Sequence, residues 1–115
     1  MVTTASMRIR EEKTNMRGGD GTVFLDSYID KALYPDHFRV FSEIILNPGC
    51  SIGDHVHNGE CEVFLILEGE GIYNDNGVKK DVYPGDTAVC FDGEAHGIEN
   101  RSDKPLRLFA AVITK

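Results

Sequence analysis

The chain has 115 residues, enough for one domain with a hydrophobic core but too few for two. Its composition, 41% hydrophobic and 27% charged, is typical of a soluble globular protein, and no apolar run approaches the ~20 residues of a membrane helix. The net charge of −7 opposes binding to phosphate backbones, so we expect neither a nucleic acid nor a membrane as a partner.

Residues 1–16 are polar and have no clear periodicity, and we interpret them as a mobile arm or an edge strand that docks on another element. Residues 17–115 then form the single domain. The first residues lack the apolar stretch of a signal peptide, and three cysteines, an odd number, suit a reducing compartment. We therefore expect a cytoplasmic protein.

Short apolar segments follow a glycine-rich turn at residues 17–21, and Gly, Pro, Asn and Asp separate them at intervals of about ten residues. This spacing predicts an all-β fold with little helix, because the segments are rich in Val, Ile, Phe and Tyr. The predicted strands cover residues 22–28, 38–46, 62–68, 71–75, 78–83, 87–91, 96–100 and 106–113.

Two local signals refine this pattern. Asn76-Gly77 favours a tight hairpin, because both central positions of a type I′ turn need positive φ. Residues 30–37 can hold one helical turn, which Pro35 would end.

Metal-ligating and titratable side chains concentrate in residues 55–62, His-Val-His-Asn-Gly-Glu-Cys-Glu. Alternation along a strand puts His55 and His57 on one face, so their imidazoles can share one ion. Glu62 lies an odd number of positions further on, so a turn must intervene before it can join them. Asn58-Gly59 supplies that turn, and we expect the strand that starts at Glu62 to run back beside the histidines.

Glu60 competes with Glu62 for the carboxylate role. Glu60 lies in the turn, where we expect a solvated charge, whereas Glu62 begins a strand that is apolar on both faces. A glutamate on such a strand is costly to bury unless it is paired or coordinated, and a cation would stabilise it. Of the other histidines, His96 opens a predicted strand, whereas His37 lies outside any such pattern and is expected in a surface loop.

With these residues in place, the chain resembles a small single-domain cupin. The first cupin motif, G-x5-H-x-H-x(3,4)-E-x6-G, is matched by Gly49, His55, His57, Glu62 and Gly69. The second, G-x5-P-x-G-x2-H-x3-N, is matched by Gly85, Gly93, His96 and Asn100, with Phe91 in place of the proline.

The resemblance implies a double-stranded β-helix, the jelly-roll barrel of the cupins, inside which His55, His57, Glu62 and His96 converge on one divalent transition metal. This ligand set suits manganese, iron, nickel, copper, cobalt or zinc and does not choose among them. The resemblance also implies a homodimer that exchanges N-terminal strands from residues 1–16. The apolar segment 106–113, with few polar outward positions, also favours a homodimer.

A possible substrate pocket would be lined by residues of the flanking strands: Arg39, Phe41, Phe64, Ile66 and Tyr73. A register slip of one residue would turn all of them outward. An inward Arg39 would hold a substrate carboxylate bidentately, although we favour a surface salt bridge for it. For Asn100 we expect a side-chain bond to a nearby turn.

Our leading functional hypothesis is a metal-dependent enzyme acting on a small oxygen-rich molecule, a sugar derivative or a hydroxy or keto acid. Isomerase, lyase and decarboxylase chemistry all fit, because a metal can stabilise developing negative charge on oxygen. A metal-dependent dioxygenase is one alternative, although Glu62 counts against the thiol dioxygenases, which usually lack that residue. A non-catalytic ligand-binding or sensor cupin is the other. No catalytic residue is assigned.

Overall fold

The structure, a computed structural model, describes all 115 residues and consists almost entirely of strands. The strands are β1 (Ile9–Thr14), β2 (Thr22–Ser27), β3 (Phe38–Leu46), β4 (Ser51–Val56), β5 (Glu60–Glu68), β6 (Gly71–Asp75), β7 (Val78–Val82), β8 (Thr87–Cys90), β9 (Ala95–Glu99) and β10 (Leu106–Thr114). Single-turn 3-10 helices cover Ala5–Met7, Met16–Gly18 and Lys31–Leu33. None of these helices has the length or apolar character needed to span a bilayer.

Two antiparallel sheets face each other across the core. The six-stranded sheet has the order β1-β2-β3-β10-β5-β8, and the four-stranded sheet has the order β4-β9-β6-β7. The largest fully buried apolar side chains come from both sheets and include Phe64, Ile44, Leu46, Ile98 and Leu108. The predicted jelly-roll barrel is therefore confirmed.

β1 and β4 were not among the predicted apolar segments, although an edge strand was one interpretation of residues 1–16 and His55 and His57 were placed on a strand. The residues of β1 are mostly polar, and β4 contains Gly53 and Asp54, which are residue types depleted in strands. β1 pairs along its whole length with β2 of the same chain, so it is an edge strand of its own sheet. An exchange of β1 between two copies stays a prediction.

The path of the chain after β4 differs from the prediction. β4 belongs to the four-stranded sheet and β5 to the six-stranded sheet, so residues 57–59 carry the chain across the barrel and do not close a hairpin. Gly59 has a φ of 75°, but Asn58 does not have the positive φ that a type I′ turn also requires. The strand that carries Glu62 does not pair with the strand of the histidines. Glu62 therefore meets the histidines across the interior of the barrel.

The two local signals are confirmed. Asn76 and Gly77 have φ values of 52° and 93°, and they join β6 to β7 as a two-residue hairpin. The helix Lys31–Leu33 ends two residues before Pro35 and is capped by the Asp30 side chain, which accepts a hydrogen bond from the Ala32 amide.

β5 is buried on only one face within a single chain. Its inward side chains include Glu62, Phe64 and Ile66, which are all buried. On the other face Val63 and Leu65 are half-buried, and Leu67 is 42% exposed. The expected burial of both faces is therefore not provided by the monomer.

Candidate metal centre

The four predicted ligand residues come from three strands and the crossing between the sheets. His55 lies on β4, His57 follows the end of β4, Glu62 lies on β5 and His96 lies on β9. The pairing of β4 with β9 places His55 opposite His96. One ligand atom from each of the four residues lies within 4.8 Å of all the others.

The four ligand atoms point at one another in the interior. The Nε2 atom of His57 lies 3.1 Å from Nε2 of His55 and 3.0 Å from Nε2 of His96. Oε1 of Glu62 lies 3.1 Å from Nε2 of His57 and 2.9 Å from Nε2 of His96. His57, Glu62 and His96 are buried, whereas His55 is partly exposed. This geometry brings together three imidazoles and one carboxylate, a set compatible with a transition metal.

Each imidazole is held at its other nitrogen. The partners are the carbonyl oxygen of Gly53 for His55 Nδ1 (2.8 Å), Oε2 of Glu60 for His57 Nδ1 (2.6 Å) and the hydroxyl of Tyr73 for His96 Nδ1 (2.8 Å). A partner of this kind orients a ligating histidine and selects its tautomer. All three rings are therefore oriented with Nε2 toward the same point.

The tautomers of His55 and His57 leave a space that a cation fits. The Gly53 carbonyl and the Glu60 carboxylate only accept hydrogen bonds, so Nδ1 of each ring carries the proton. When both rings are neutral, their Nε2 lone pairs therefore face each other at 3.1 Å with no hydrogen between them. Either a second proton on one ring or a shared cation relieves this repulsion, and the donor set fits a metal ion.

The electrostatics also favour positive charge at the centre. Burial alone would raise the pKa of Glu62, but hydrogen bonds with His57 and His96 outweigh it and bring the pKa to about 2. The hydrogen bond with Glu62 raises the pKa of His57. By contrast, burial lowers the pKa of His55, so that ring favours the neutral form that a metal requires.

Glu60 has a different role from the one predicted. We expected a solvated charge in the turn, but its side chain is only 14% exposed and bridges His57 to Arg39. Arg39 donates to both Glu60 oxygens, from Nε at 2.8 Å and from Nη2 at 2.6 Å. These bonds lower the pKa of Glu60, so its carboxylate stays charged opposite His57. Arg39 thus forms the predicted salt bridge, and that salt bridge supports the centre.

A cavity of about 50 Å³ lies beside three of the four candidate ligands, His55, His57 and Glu62. It is lined by Met16, Arg17, Leu25, Arg39, Val40, Ile44, Ile52, His55, His57, Glu62 and Val112. Drug-sized ligands occupy pockets of about 300–1,000 Å³, so this cavity suits a ligand of only a few heavy atoms. Of the predicted pocket residues, only Arg39 lines it.

Phe41 faces the wrong way for the predicted pocket. Its ring packs on the outer side of the six-stranded sheet against other aromatic residues, namely Tyr28, Tyr34, Phe38 and Phe109. Phe41 lies an odd number of positions from the buried Ile44 and Leu46, so strand alternation turns it outward. A β-bulge beyond it redirects Arg39, because Val112 pairs with Val40 and Ile113 pairs with Phe38, which leaves Arg39 without a partner. Simple alternation puts Arg39 and Phe41 on one face, and the bulge separates them.

Phe64, Ile66 and Tyr73 face inward as predicted, but they support the centre and do not line the cavity. Phe64 stacks on the His96 ring with centroids 5.1 Å apart, and Tyr73 bonds to the same ring. Ile66 belongs to the hydrophobic core. The imidazole of His96 is thus held between the core and one hydroxyl group.

Seven residues that line the cavity were missed by the sequence analysis, namely Met16, Arg17, Leu25, Val40, Ile44, Ile52 and Val112. Met16 and Arg17 come from the segment before β2, which we treated as part of an arm and a simple turn. The only sequence signal was the Gly18-Gly19 pair after them, which indicates an unusual backbone without saying where it lies.

The remaining motif residues have structural roles. The Asn100 side chain is fully buried and donates to the carbonyl oxygens of Leu46 and Lys104 at 2.8 and 2.7 Å. It also accepts a hydrogen bond from the Ser102 hydroxyl at 2.7 Å, which fits the expected turn bond. His37 is exposed in a loop, as predicted.

Comparison with known proteins agrees with this architecture. The family model of the cupin domain matches residues 42–112, which include both motifs and all four candidate ligands. The chain belongs to the cupin family. This cupin is also 38% identical over 113 residues to the oxalate-binding protein of Thermotoga maritima, a match that covers 98% of this chain and 93% of the relative.

Solved structures similar to this cupin extend the comparison. The crystal structure of a predicted oxalate decarboxylase from Thermotoga maritima superposes with a TM-score of 0.93 at 37% identity, with both chains fully covered. The polyketide cyclase RemF of Streptomyces resistomycificus has a TM-score of 0.81 at 22% identity, covering all of this cupin and 80% of that chain. The similarity to RemF shows the fold alone.

Proposed function

We propose that this cupin binds one divalent transition metal through His55, His57, Glu62 and His96 and, at that metal, a small dicarboxylate of the oxalate class. The observation that carries the proposal is the meeting of three imidazole Nε2 atoms and one carboxylate oxygen beside a cavity of about 50 Å³. When bound, the metal would supply Lewis acidity toward carboxylate oxygens.

The cavity volume selects among the substrates that the motifs allow. The enclosed space beside the ligands suits a small di- or keto acid better than a sugar derivative. The names of the relatives from Thermotoga maritima, an oxalate-binding protein and a predicted oxalate decarboxylase, support the same ligand class.

Decarboxylation is the second candidate, and the name of the second relative favours it. Conversion of oxalate to formate and carbon dioxide needs a proton delivered to the carbon that loses carbon dioxide. The only carboxyl group lining the cavity is that of Glu62, a candidate ligand, and the nearby Glu60 is tied to Arg39 and His57. This lining favours binding over turnover.

The test of this proposal is calorimetric titration of the zinc-loaded protein with oxalate and with succinate, which is longer. We expect saturable binding of oxalate, weaker binding of succinate, and loss of oxalate binding after chelation of the metal. Absence of oxalate binding to the loaded protein would contradict the proposal. Formate formation by the manganese-loaded protein would show that the function is decarboxylation and not binding alone.

We also propose that two copies associate through the outer face of the six-stranded sheet. That face carries apolar side chains that one chain leaves partly exposed: Val63, Leu65, Leu67 and Phe109. Apolar side chains on a sheet surface are stabilised when a second surface covers them.

A further inference from the structure

One arginine differs from all the others in the chain. Five of the six arginines form ion pairs with carboxylates: Arg8, Arg10, Arg39, Arg101 and Arg107. Arg17 forms none, although the chain carries an excess of acidic residues. It is exposed to solvent and also lines the cavity beside the candidate ligands. Arg17, which has no carboxylate partner, therefore both borders that cavity and is exposed to solvent.

The backbone of Arg17 is in an unfavourable conformation. Its φ of 55° and ψ of 32° lie in the left-handed region, which disfavours any residue with a Cβ. Asn15, with a φ of 52°, and Gly18, with a φ of 79°, share that region. Strain of this kind persists where the surrounding structure imposes it, and it clusters at functional sites.

Two glycines hold this segment against the strand that carries His55. A Cβ at Gly53 would overlap the carbonyl oxygen of Arg17, and a Cβ at Gly19 would overlap the carbonyl oxygen of Ser51. The carbonyl of Gly53 also orients the His55 ring. The same stretch of β4 therefore contacts the backbone of Arg17 and orients the ring of His55.

We propose that Arg17 is the residue that selects dianionic ligands at the cavity, by pairing with a carboxylate of the ligand that the centre holds. This inference rests on the proposed function and names the group that distinguishes a dicarboxylate from a monocarboxylate. A guanidinium presents paired N–H donors that match a carboxylate, and it stays charged at any physiological pH.

Arg39 does not fill this role, although it lines the same cavity. Both of its bonded nitrogens are engaged by Glu60, which in turn holds His57. Release of Arg39 would leave Glu60 without its bidentate partner. Arg17 can pair with a ligand without breaking any ion pair.

The test compares oxalate with oxamate, which has nearly the same size and one carboxylate fewer, on the zinc-loaded protein. The variants are Arg17→Gln and Arg101→Gln, which remove the same charge, but Arg101 does not line the cavity. We expect Arg17→Gln to weaken oxalate binding by about ten-fold or more, as for loss of a charged hydrogen bond, and oxamate binding by less than about three-fold. Arg101→Gln should bind both ligands like the wild type, and all variants should retain zinc.

The outcomes separate the two proposals. Equal oxalate affinity in Arg17→Gln and wild type contradicts the role of Arg17 alone. Wild-type loaded protein that binds neither ligand contradicts the proposed function and this inference together. An equal loss of affinity for oxalate and for oxamate in Arg17→Gln contradicts selection by ligand charge.

Arg17→Gly gives an independent measurement, since glycine adopts positive φ without steric cost. We expect this variant to unfold at the same temperature as the wild type or higher, and to lose oxalate affinity as Arg17→Gln does. A lower unfolding temperature for Arg17→Gly would mean that the Arg17 side chain stabilises the fold. That result would contradict the proposal that Arg17 serves ligand binding.

Discussion

Both nitrogens of each imidazole at the candidate centre are engaged, one toward the centre and one toward a group that fixes the ring. For His57 that group is Glu60, whose carboxylate is itself fixed by Arg39. A charged acceptor on Nδ1 makes Nε2 a stronger ligand and prevents the ring from rotating. The side chains behind the ligands therefore contribute to metal affinity as well as to the fold.

Glu60→Gln tests this contribution at the level of one residue. We expect the variant to fold and to bind zinc about 10–100-fold more weakly, because a neutral amide polarises His57 less than a carboxylate does. Zinc affinity is measured by competition with a chromophoric chelator. Glu70→Gln, at an exposed position before β6, is the control and should bind zinc like the wild type. Equal zinc affinity in Glu60→Gln and wild type would show that Glu60 only maintains the turn.

The sequence identifies the candidate ligands better than the residues that hold them. His55, His57, Glu62 and His96 follow from strand parity and from motif spacing, which depend on short segments. The bond from Glu60 to His57 depends on how the chain crosses between two sheets, and alternation carries no information on that. Glu60 was therefore assigned to solvent.

The strand order explains which elements could be predicted. β3 and β6 were predicted at their observed bounds, because their apolar residues and bounding turns leave little ambiguity. The crossing after β4 could not be predicted, since Asn-Gly suits a tight reversal whether or not the flanking strands pair. That Arg39 and Phe41 face opposite ways could not be predicted, because the separation depends on a bulge at Arg39 that no local pattern marks.

At the element scale, the attachment of β1 to β2 should depend on pH. Two hydrogen bonds from Arg10, 2.8 and 3.0 Å long, lower the pKa of Asp26 below its ordinary value. A carboxylate with a depressed folded pKa adds stability above its unfolded pKa of about 3.9, and this stability is lost as the pH falls through the folded pKa.

Asp26→Asn measures this effect. We expect the variant to be less stable than the wild type in urea at pH 7, and the difference to shrink as the pH is lowered below about 4. The control is Asp81→Asn, which removes an exposed carboxylate of β7 that forms no ion pair, and its effect at pH 7 should be smaller. A difference between Asp26→Asn and wild type that stays constant down to low pH would contradict the assignment.

At the scale of the whole molecule, the two sheets have different outer faces. The outer side of the four-stranded sheet carries charged side chains that pair with one another, such as Lys79, Glu99 and Arg101. The outer side of the six-stranded sheet carries Phe109 and Leu65, which are half-buried. The same face also carries the ion pairs of Glu43 with Arg8 and Arg107, so the proposed dimer would associate through its apolar part.

Phe109→Lys tests that surface. Phe109 pairs with Glu43 across β10 and β3, so a lysine there keeps a favourable cross-strand partner while it places a charge on the face. We expect a dimer for the wild type by light scattering and a monomer for the variant, with metal content unchanged. The control is Leu33→Lys, at a 57% exposed position in a short helix, which should remain dimeric. A monomeric wild type would contradict the proposal.

Elemental analysis of protein purified without added metal or chelator tests most directly whether the four side chains hold a metal ion. We expect about one transition-metal ion per chain in the wild type and in His37→Asn, which changes an exposed histidine. We expect almost none in His57→Asn, and less than in the wild type in Glu62→Gln. Equal metal content in all four proteins, or none in the wild type, would contradict the central claim.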